Sequence, residues 1–344
     1  MSLDGNQMLR LRRRPHGRLA EGDLEVVDAA IPEPAAGEVL VRNLWLSVDP
    51  SIRIRLAAAT PPGYLPPVGL NEPLPGLALG AVVESRCDGF EVGDIVSHMH
   101  GFREYAVVGG AGSLGGYGAL AKVRPGSLPL EWFLGPLGSS GLTAYAGLVG
   151  VLAVQPGDVV WVSAAAGAVG SIAAQLAKLR GCRVIGSAGG QQKLDYLTGE
   201  LGLSDVFDYR SESIDEALRR LAPSGIDKYF DNVGAGHLTA AVGNLRHGGR
   251  IALCGAVSEY DGSTPDPGPS KLFQLVAKEA SMQGFRAGSF LHLEAEMQAE
   301  IGAHLAEKRL SWRSTVFSGV AAAPAALVSM LNGSHVGKTL CRIE

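Results

Sequence analysis

The residues best placed to do chemistry in this chain lie in one stretch, Asp158 to Gly190. Asp158–Ser163 is a near-continuous apolar run, Ile172, Leu176 and Leu179 recur at helical spacing, and Arg183–Ala188 is largely apolar again, so the stretch reads as strand, turn, helix, strand. Its turn is Ala164-Ala165-Ala166-Gly167-Ala168-Val169-Gly170, with Ala165 at the first position of a G-x-G-x-x-G pattern and Gly167 and Gly170 at the later ones. Small residues there let backbone N–H groups at a helix N-terminus approach a pyrophosphate, and the helix dipole favours the anion. In such a unit an acid at the end of the second strand hydrogen-bonds the 2′-hydroxyl of NAD. This chain has Ser187-Ala188-Gly189-Gly190 there, and Lys193 follows. Without the acid a 2′-phosphate is admitted, and Lys193 is placed to pair with it, which points to NADP over NAD. The plainer alternatives are a solvated lysine opening the next helix and a turn that only packs helix against strand.

Other chemistries are less well supported. Cys87, Cys182, Cys254 and Cys341 are far apart, with no C-x-x-C pair, and read as reduced core residues. His98 and His100 lack a cysteine or carboxylate at ligand spacing, so no metal is expected. A net charge of −4 gives no electrostatic case for nucleic acid or an anionic membrane. No apolar run reaches membrane-spanning length and no signal-peptide core opens the chain, so a cytoplasmic protein is expected. Arg10, Arg12, Arg13 and Arg14, interleaved with Leu9 and Leu11, read as a basic first strand.

The elements that must position these residues change character along the chain. To about Ser127, short β-type runs (Leu24–Val27, Val39–Val48, Ala78–Val83, Asp94–Ser97, Arg103–Val108) are separated by Pro and Gly clusters, which suits a mostly antiparallel β domain. Tyr64–Gly76 reads as a mobile surface loop and Gly109–Gly118 as a second, glycine-rich one. From Leu128 helices and strands alternate, the signature of a parallel sheet covered by helices. Helices are expected at Lys193–Leu201, Ile214–Ala222 and Leu291–Lys308, and further strands at Val206–Tyr209, Tyr229–Val233, Arg250–Cys254 and Ser281–Phe285. The tail from Trp312 adds strand, helix and the strand Lys338–Ile343, and is expected to return to the first domain.

Gly141-Leu142-Thr143-Ala144-Tyr145, the AAAGAVG turn with its helix, Phe230-Asp231-Asn232-Val233-Gly234, Cys254-Gly255-Ala256-Val257-Ser258, Gly337-Lys338-Thr339 and Val48-Asp49-Pro50 with Arg53 together resemble the zinc-independent medium-chain reductases. Within them the chain is most similar to the leukotriene B4 12-hydroxydehydrogenase/15-oxoprostaglandin 13-reductase and 2-alkenal reductase group. The resemblance implies an α/β chain with a Rossmann-type doubly wound parallel sheet, residues 128–311, and a GroES-like mostly antiparallel β domain, residues 1–127 and 312–344. It also implies NADPH-dependent reduction of the carbon–carbon double bond of α,β-unsaturated ketones and aldehydes without metal, by a homodimer. Hydride goes to the β-carbon, charge develops on the carbonyl oxygen, and the α-carbon is protonated, so the protein must orient the enone and supply donors to the enolate.

Carried over residue by residue, the resemblance assigns Ala166, Gly167, Ala168, Val169 and Gly170 to the pyrophosphate, Lys193 and Tyr209 to the 2′-phosphate, and Asn232 to the side of the cofactor. Cys254, Gly255, Ala256, Val257, Ser258 and Tyr260 would line the nicotinamide ribose, Phe285, Arg286 and Ala287 the carboxamide, and Thr143 the nicotinamide. Tyr260 is the preferred donor to the enolate. Tyr209 and Phe285 also suit simple packing, Asn232 a turn, and Tyr260 the surface; Asp49 and Arg53 read as an internal ion pair. Ser51, Ser139 and Ser140 depart from the tyrosine and Met-Pro of the group and imply a wider or more polar substrate pocket, and the aromatic residue sometimes found near Ala277 is absent. His335 replaces an asparagine and can still donate to the cofactor. A quinone oxidoreductase on the same scaffold and a non-catalytic NADPH-binding sensor remain open at this point.

Overall fold

Val159–Val162 is buried at every position, as a strand covered on both faces must be. This strand sits inside the sheet of the computed structural model, which describes residues 5–109, 118–261 and 268–343. Among the described residues, the spatial order of that sheet is Asp205–Asp208, Arg183–Ala188, Val159–Val162, Ile226–Asp231, Leu245–Leu253 and Ser281–Gly284. All its pairings are parallel, and the order reverses beside Val159–Val162, the position at which such sheets bind ligands. The helix Ala168–Leu179 lays Ile172, Ala173, Leu176 and Ala177 into the core. On the other side Trp161 stacks on Tyr229, with ring centroids 4.1 Å apart, and its indole N–H donates to Ser187 Oγ at 3.0 Å, which satisfies the polar edge of a buried ring.

A second sheet is built on the long strand Glu38–Val48. This strand pairs antiparallel with Ala78–Ser85 along one side, and with Tyr105–Gly109 and then Lys338–Arg342 along the other. Ile95–His98 extends the sheet beyond Ala78–Ser85, and Ser314–Ser318 joins Lys338–Arg342 in parallel. Its core gathers Leu46, Val48, Leu56, Phe102, Leu327 and Cys341.

The described residues separate into two units. One takes those up to Leu134, Tyr260 and Asp261, and those from Ser314 onward; the other takes Gly135–Glu259 and the rest up to Arg313. These boundaries differ from the expected ones by a few residues, and Tyr260–Asp261 departs from the expected division altogether.

Several expectations need correction. Tyr64–Gly76 is no mobile loop: Val68 and Leu74 are buried, and the backbone N–H groups of Val68, Asn71 and Leu74 donate to Arg55, Leu11 and Leu9. The helix expected at Lys193–Leu201 is α-helical only over Gln191–Asp195 and continues as a π-helical turn, Tyr196–Glu200. The basic strand ends at Leu11, so Arg12, Arg13 and Arg14 follow it. The helices Ser139–Tyr145 and Ala235–Asn244 were not foreseen. Most of the glycine-rich Gly109–Gly118 segment lies outside the described residues.

Candidate active site

The glycine turn enters the helix Ala168–Leu179 through Gly167, and no side chain caps this end. First-turn N–H groups have no acceptor inside their own helix, so they stay available to an anion. The turn is tight enough to dictate its residues. Ala164 adopts φ +46°, and a Cβ on Gly170 would stand 2.3 Å from the Ala164 carbonyl oxygen. Ala165 and Ala166 are buried, whereas Gly167, Ala168 and Val169 are partly open.

At the end of the next strand the chain passes through Gly189 and Gly190, the latter at φ +94°. Tyr209 and Arg210 close over Gly189: a Cβ there would meet Arg210 Nε at 2.6 Å and the Tyr209 hydroxyl at 2.9 Å. Lys193 lies within reach of the Arg210 charge, its ammonium held below the usual lysine range first by burial and then by that charge. Two cations and a hydroxyl thus converge where the sequence lacks an acid. Asp208 is nearby, but its carboxylate accepts the backbone N–H groups of Gly190 and Arg210, both at 2.9 Å, and so shapes the turn. Arg210 was missed by sequence reading, which gave it no signal beyond its place next to Tyr209. Tyr209 also packs edge-on against His237, with centroids 5.0 Å apart.

Asp231 organises the segment after its strand. Its Oδ1 accepts the Tyr229 hydroxyl at 2.7 Å and the Val233 and Gly234 N–H groups at 2.9 Å, while burial raises its pKa. Asn232 donates from Nδ2 to the Ser163 carbonyl at 2.7 Å, a turn-holding contact. Cys254 and Gly255 donate from their backbones to the Asp231 carbonyl, Val257 to Asn232, and Ser258 to Val233. The segment Cys254–Ser258 therefore lies against the glycine-turn side of the sheet. Burial, with the Asp231 charge second, pushes the Cys254 thiol up to about 12, so it is protonated at neutral pH. Ala256 and Ser258 remain partly or fully exposed.

Phe285 sits between two rings, T-shaped to Phe230 at 6.2 Å and to Phe290 at 6.1 Å, and Gly147 leaves room for it. Arg286 and Ala287 follow, with Ala287 opening a 3-10 segment. Thr143 returns its hydroxyl to the Ser139 carbonyl at 2.7 Å inside the helix Ser139–Tyr145, where Ser140 is buried and Ser139 partly open. That helix is fixed by Tyr145, whose hydroxyl lies 2.7 Å from Glu296 Oε1 and accepts from Arg180 Nη2 at 3.1 Å. Burial and the two carboxylates push the Tyr145 pKa up.

In the other unit, Ser51 precedes the short helix Ile52–Arg55. The expected Asp49–Arg53 ion pair does not form. Asp49 precedes the helix, so the two side chains do not share a helical face. Asp49 instead pairs with the fully buried Lys338 and accepts from Ser47 Oγ, while Arg53 turns to Asp261. Tyr260 is half-buried, at the end of the turn Val257–Glu259. His335 Nε2 lies 2.7 Å from Ser329 Oγ, and its ring meets Phe317 edge-on at 5.6 Å.

An uncapped twelve-residue helix behind small residues, and Lys193, Tyr209 and Arg210 around Gly189, fit a pyrophosphate and a 2′-phosphate respectively. They fit NADP(H). Zinc is different: among the described residues no three His, Cys, Asp or Glu side chains come together as ligands.

Comparison with known proteins supports the NADP assignment. Residues 7–114 match a family described as the N-terminal domain of oxidoreductase, and residues 168–304 one described as zinc-binding dehydrogenase. The chain is 34% identical to (+)-pulegone reductase of Mentha piperita, over 98% of each. It is also 34% identical to the NADP(+)-dependent 2-alkenal reductase of Nicotiana tabacum, again over 98% of each. Among solved structures, CurA of Vibrio vulnificus in complex with NADPH superimposes with a TM-score of 0.90 at 34% identity, covering 98% of this chain and 99% of that one. Similarity of this degree along nearly its whole length makes the chain a member of the medium-chain dehydrogenase/reductase family, in its enone-reductase group.

Proposed function

We propose that the protein uses NADPH to reduce the carbon–carbon double bond of α,β-unsaturated ketones and aldehydes. The observation that carries the cofactor assignment is the convergence of Lys193, Tyr209 and Arg210 on Gly189, where a 2′-phosphate gains charge-assisted hydrogen bonds. The relatives named as 2-alkenal and pulegone reductases support the reaction class. When bound, the nicotinamide supplies the hydride.

The chain's own residues do the rest. The uncapped N–H groups at Ala168 and Val169 hold the pyrophosphate, with Ala166 and Gly167 leaving room for its approach, and Thr143, the Cys254–Ser258 segment and Phe285–Ala287 confine the nicotinamide end. The Tyr260 hydroxyl donates to the substrate carbonyl oxygen as negative charge develops there, a type of contact whose removal costs about 3–4 kcal/mol in other oxyanion sites. Hydroxyl donors meet that charge without a metal ion. Ser51 in one unit and Ser139 and Ser140 in the other are the candidate substrate-side residues, and their small polar side chains favour bulkier or oxygenated enones. His335, whose Nε2 is engaged by Ser329 Oγ, donates to the cofactor once that contact is released.

The protein works in the cytoplasm as a homodimer. No helix among the described residues is long and apolar enough to cross a membrane, and the four cysteines are free thiols. Leu272, Phe273 and Val276 are exposed, Phe273 at 78%, close in sequence to the outermost sheet strand Ser281–Gly284, and a second copy would cover them. The test of function is oxidation of NADPH and NADH against a panel of enones, enals and quinones. Turnover of enones with NADPH preferred supports the reading; turnover of quinones alone refutes it.

A further inference from the structure

Arg53 is nearly inaccessible, with 4% of its side chain exposed, although a guanidinium is among the costliest groups to bury. Burial lowers its pKa, and Asp261 and Asp23 act against that fall. The contacts that offset the burial are specific. Arg53 Nη2 donates to the Gly17 carbonyl at 2.5 Å and to the Asp261 carbonyl at 3.4 Å. Nε lies 3.7 Å from the Asp261 carboxylate and has no hydrogen-bond partner among the described residues. The guanidinium is thus braced on one side by Gly17 and holds both the backbone and the side chain of Asp261 on the other. Asp261 is the residue after Tyr260, and these two are the described residues that leave the flow of their own stretch of chain to join the first unit.

We infer that Arg53 is a positioning residue for Tyr260: by gripping the carbonyl and carboxylate of Asp261, it fixes the backbone from which the Tyr260 hydroxyl reaches the substrate carbonyl oxygen. The inference rests on the reading of Tyr260 as the enolate donor. It gives the Val-Asp-Pro segment and its arginine separate duties, since Asp49 is held by Lys338 and Ser47 while Arg53 serves Asp261. An arginine suits this task because its planar fork engages two acceptors at once, which a lysine point charge does less well. Misplacing a donor by about 1 Å costs up to about 100-fold in rate.

The test measures kcat, KM and NADPH affinity for Asp261→Asn and Arg53→Lys, each alone and combined with Tyr260→Phe, with thermal melting as a check on folding. Asp261→Asn is expected to lower kcat about tenfold with NADPH affinity unchanged, Arg53→Lys to lower it about threefold, and neither to cause further loss in the Tyr260→Phe background. Unchanged kcat in Asp261→Asn, or the same factor of loss with and without the Tyr260 hydroxyl, overturns the positioning role and leaves the Tyr260 assignment standing. Full activity in Tyr260→Phe alone overturns the donor assignment and the positioning role with it.

Discussion

Removing the Arg210 guanidinium separates two consequences of one arrangement. In the cofactor-free protein Arg210 depresses the Lys193 ammonium, so its loss relieves a repulsion. With NADPH bound, its loss removes a donor from the 2′-phosphate. Hydrogen bonds to charged groups contribute about 1.5–3 kcal/mol. Arg210 is exposed, and solvent screening brings its share to about 1–2 kcal/mol. Arg210→Ala is therefore expected to weaken NADPH binding about 5- to 30-fold and to leave NADH, which has no such phosphate, unaffected. Lys193→Ala, at a more buried position, is expected to cost about 10- to 100-fold. The melting temperature of free Arg210→Ala should equal or exceed that of the parent, while its rise with NADPH shrinks in step with the affinity. Fluorescence titration with both nucleotides and parallel melting curves measure all of this. Equal losses for NADH and NADPH, or a less stable free protein that binds NADPH normally, would refute the reasoning.

Other outcomes follow from the same contacts. Gly170→Ala drives a Cβ to 2.3 Å from the Ala164 carbonyl oxygen, so it should destabilise the protein by about 1–3 kcal/mol and weaken NADPH; Gly236→Ala, with nothing within 4 Å, should be neutral or slightly stabilising in the same denaturation assay. Burial lowers His98 to about 3 and His237 to about 4, with His100 and Arg103 adding to the effect at His98. Both pKa values lie below the unfolded one, so the unfolded chain binds more protons as pH falls below about 6.5, and stability is lost at about 1.4 kcal/mol per pH unit for each histidine. Urea unfolding at pH 6.5, 5.5 and 4.5 should show this loss, and His237→Phe should make the slope shallower without abolishing it, since His98, His100 and His304 are also held below the usual histidine range; an unchanged midpoint across that range would contradict it. If the proposed homodimer forms through this face, Phe273→Glu should give a monomer in light scattering without loss of NADPH binding, and a dimer of unchanged affinity would remove that surface from consideration.

What could be read in the sequence was what local periodicity encodes. The apolar runs at Val159–Val162 and Arg183–Ala188, the helix between them and the small residues of the turn all constrain one another within a few residues, and the parallel sheet follows from their repetition. Lys193 was legible because its spacing from a strand end places it, and Tyr209 only through the family resemblance. Arg210 was not: two residues beyond the strand, it has the look of any solvated arginine until Gly189 is seen beneath it. The partners of Asp49 and Arg53 were illegible for another reason. Lys338 and Asp261 are brought to them by tertiary pairing that no spacing announces, and the internal Asp49–Arg53 pair expected instead does not form because Asp49 precedes the short helix. The helix Ser139–Tyr145 was hidden by its Ser-Ser-Gly opening, poor in helix formers, and it stands because Tyr145 ties it to Glu296, Glu300 and Arg180.

The place of Lys338–Arg342 beside Glu38–Val48 sets an order of events during synthesis. The nascent sheet of Glu38–Val48 leaves the ribosome with Leu46 and Val48 made but their neighbouring strand still untranslated, a gap of roughly 15–60 s at typical elongation rates. The nucleotide-binding unit, whose strands are nearly contiguous in the chain, can fold in that interval. Until Lys338 arrives to neutralise Asp49, one edge of the Glu38–Val48 sheet stays open to other nascent chains. Slow or interrupted translation late in the message therefore exposes an early part of the protein, and chaperone dependence should track the final strand rather than the cofactor site.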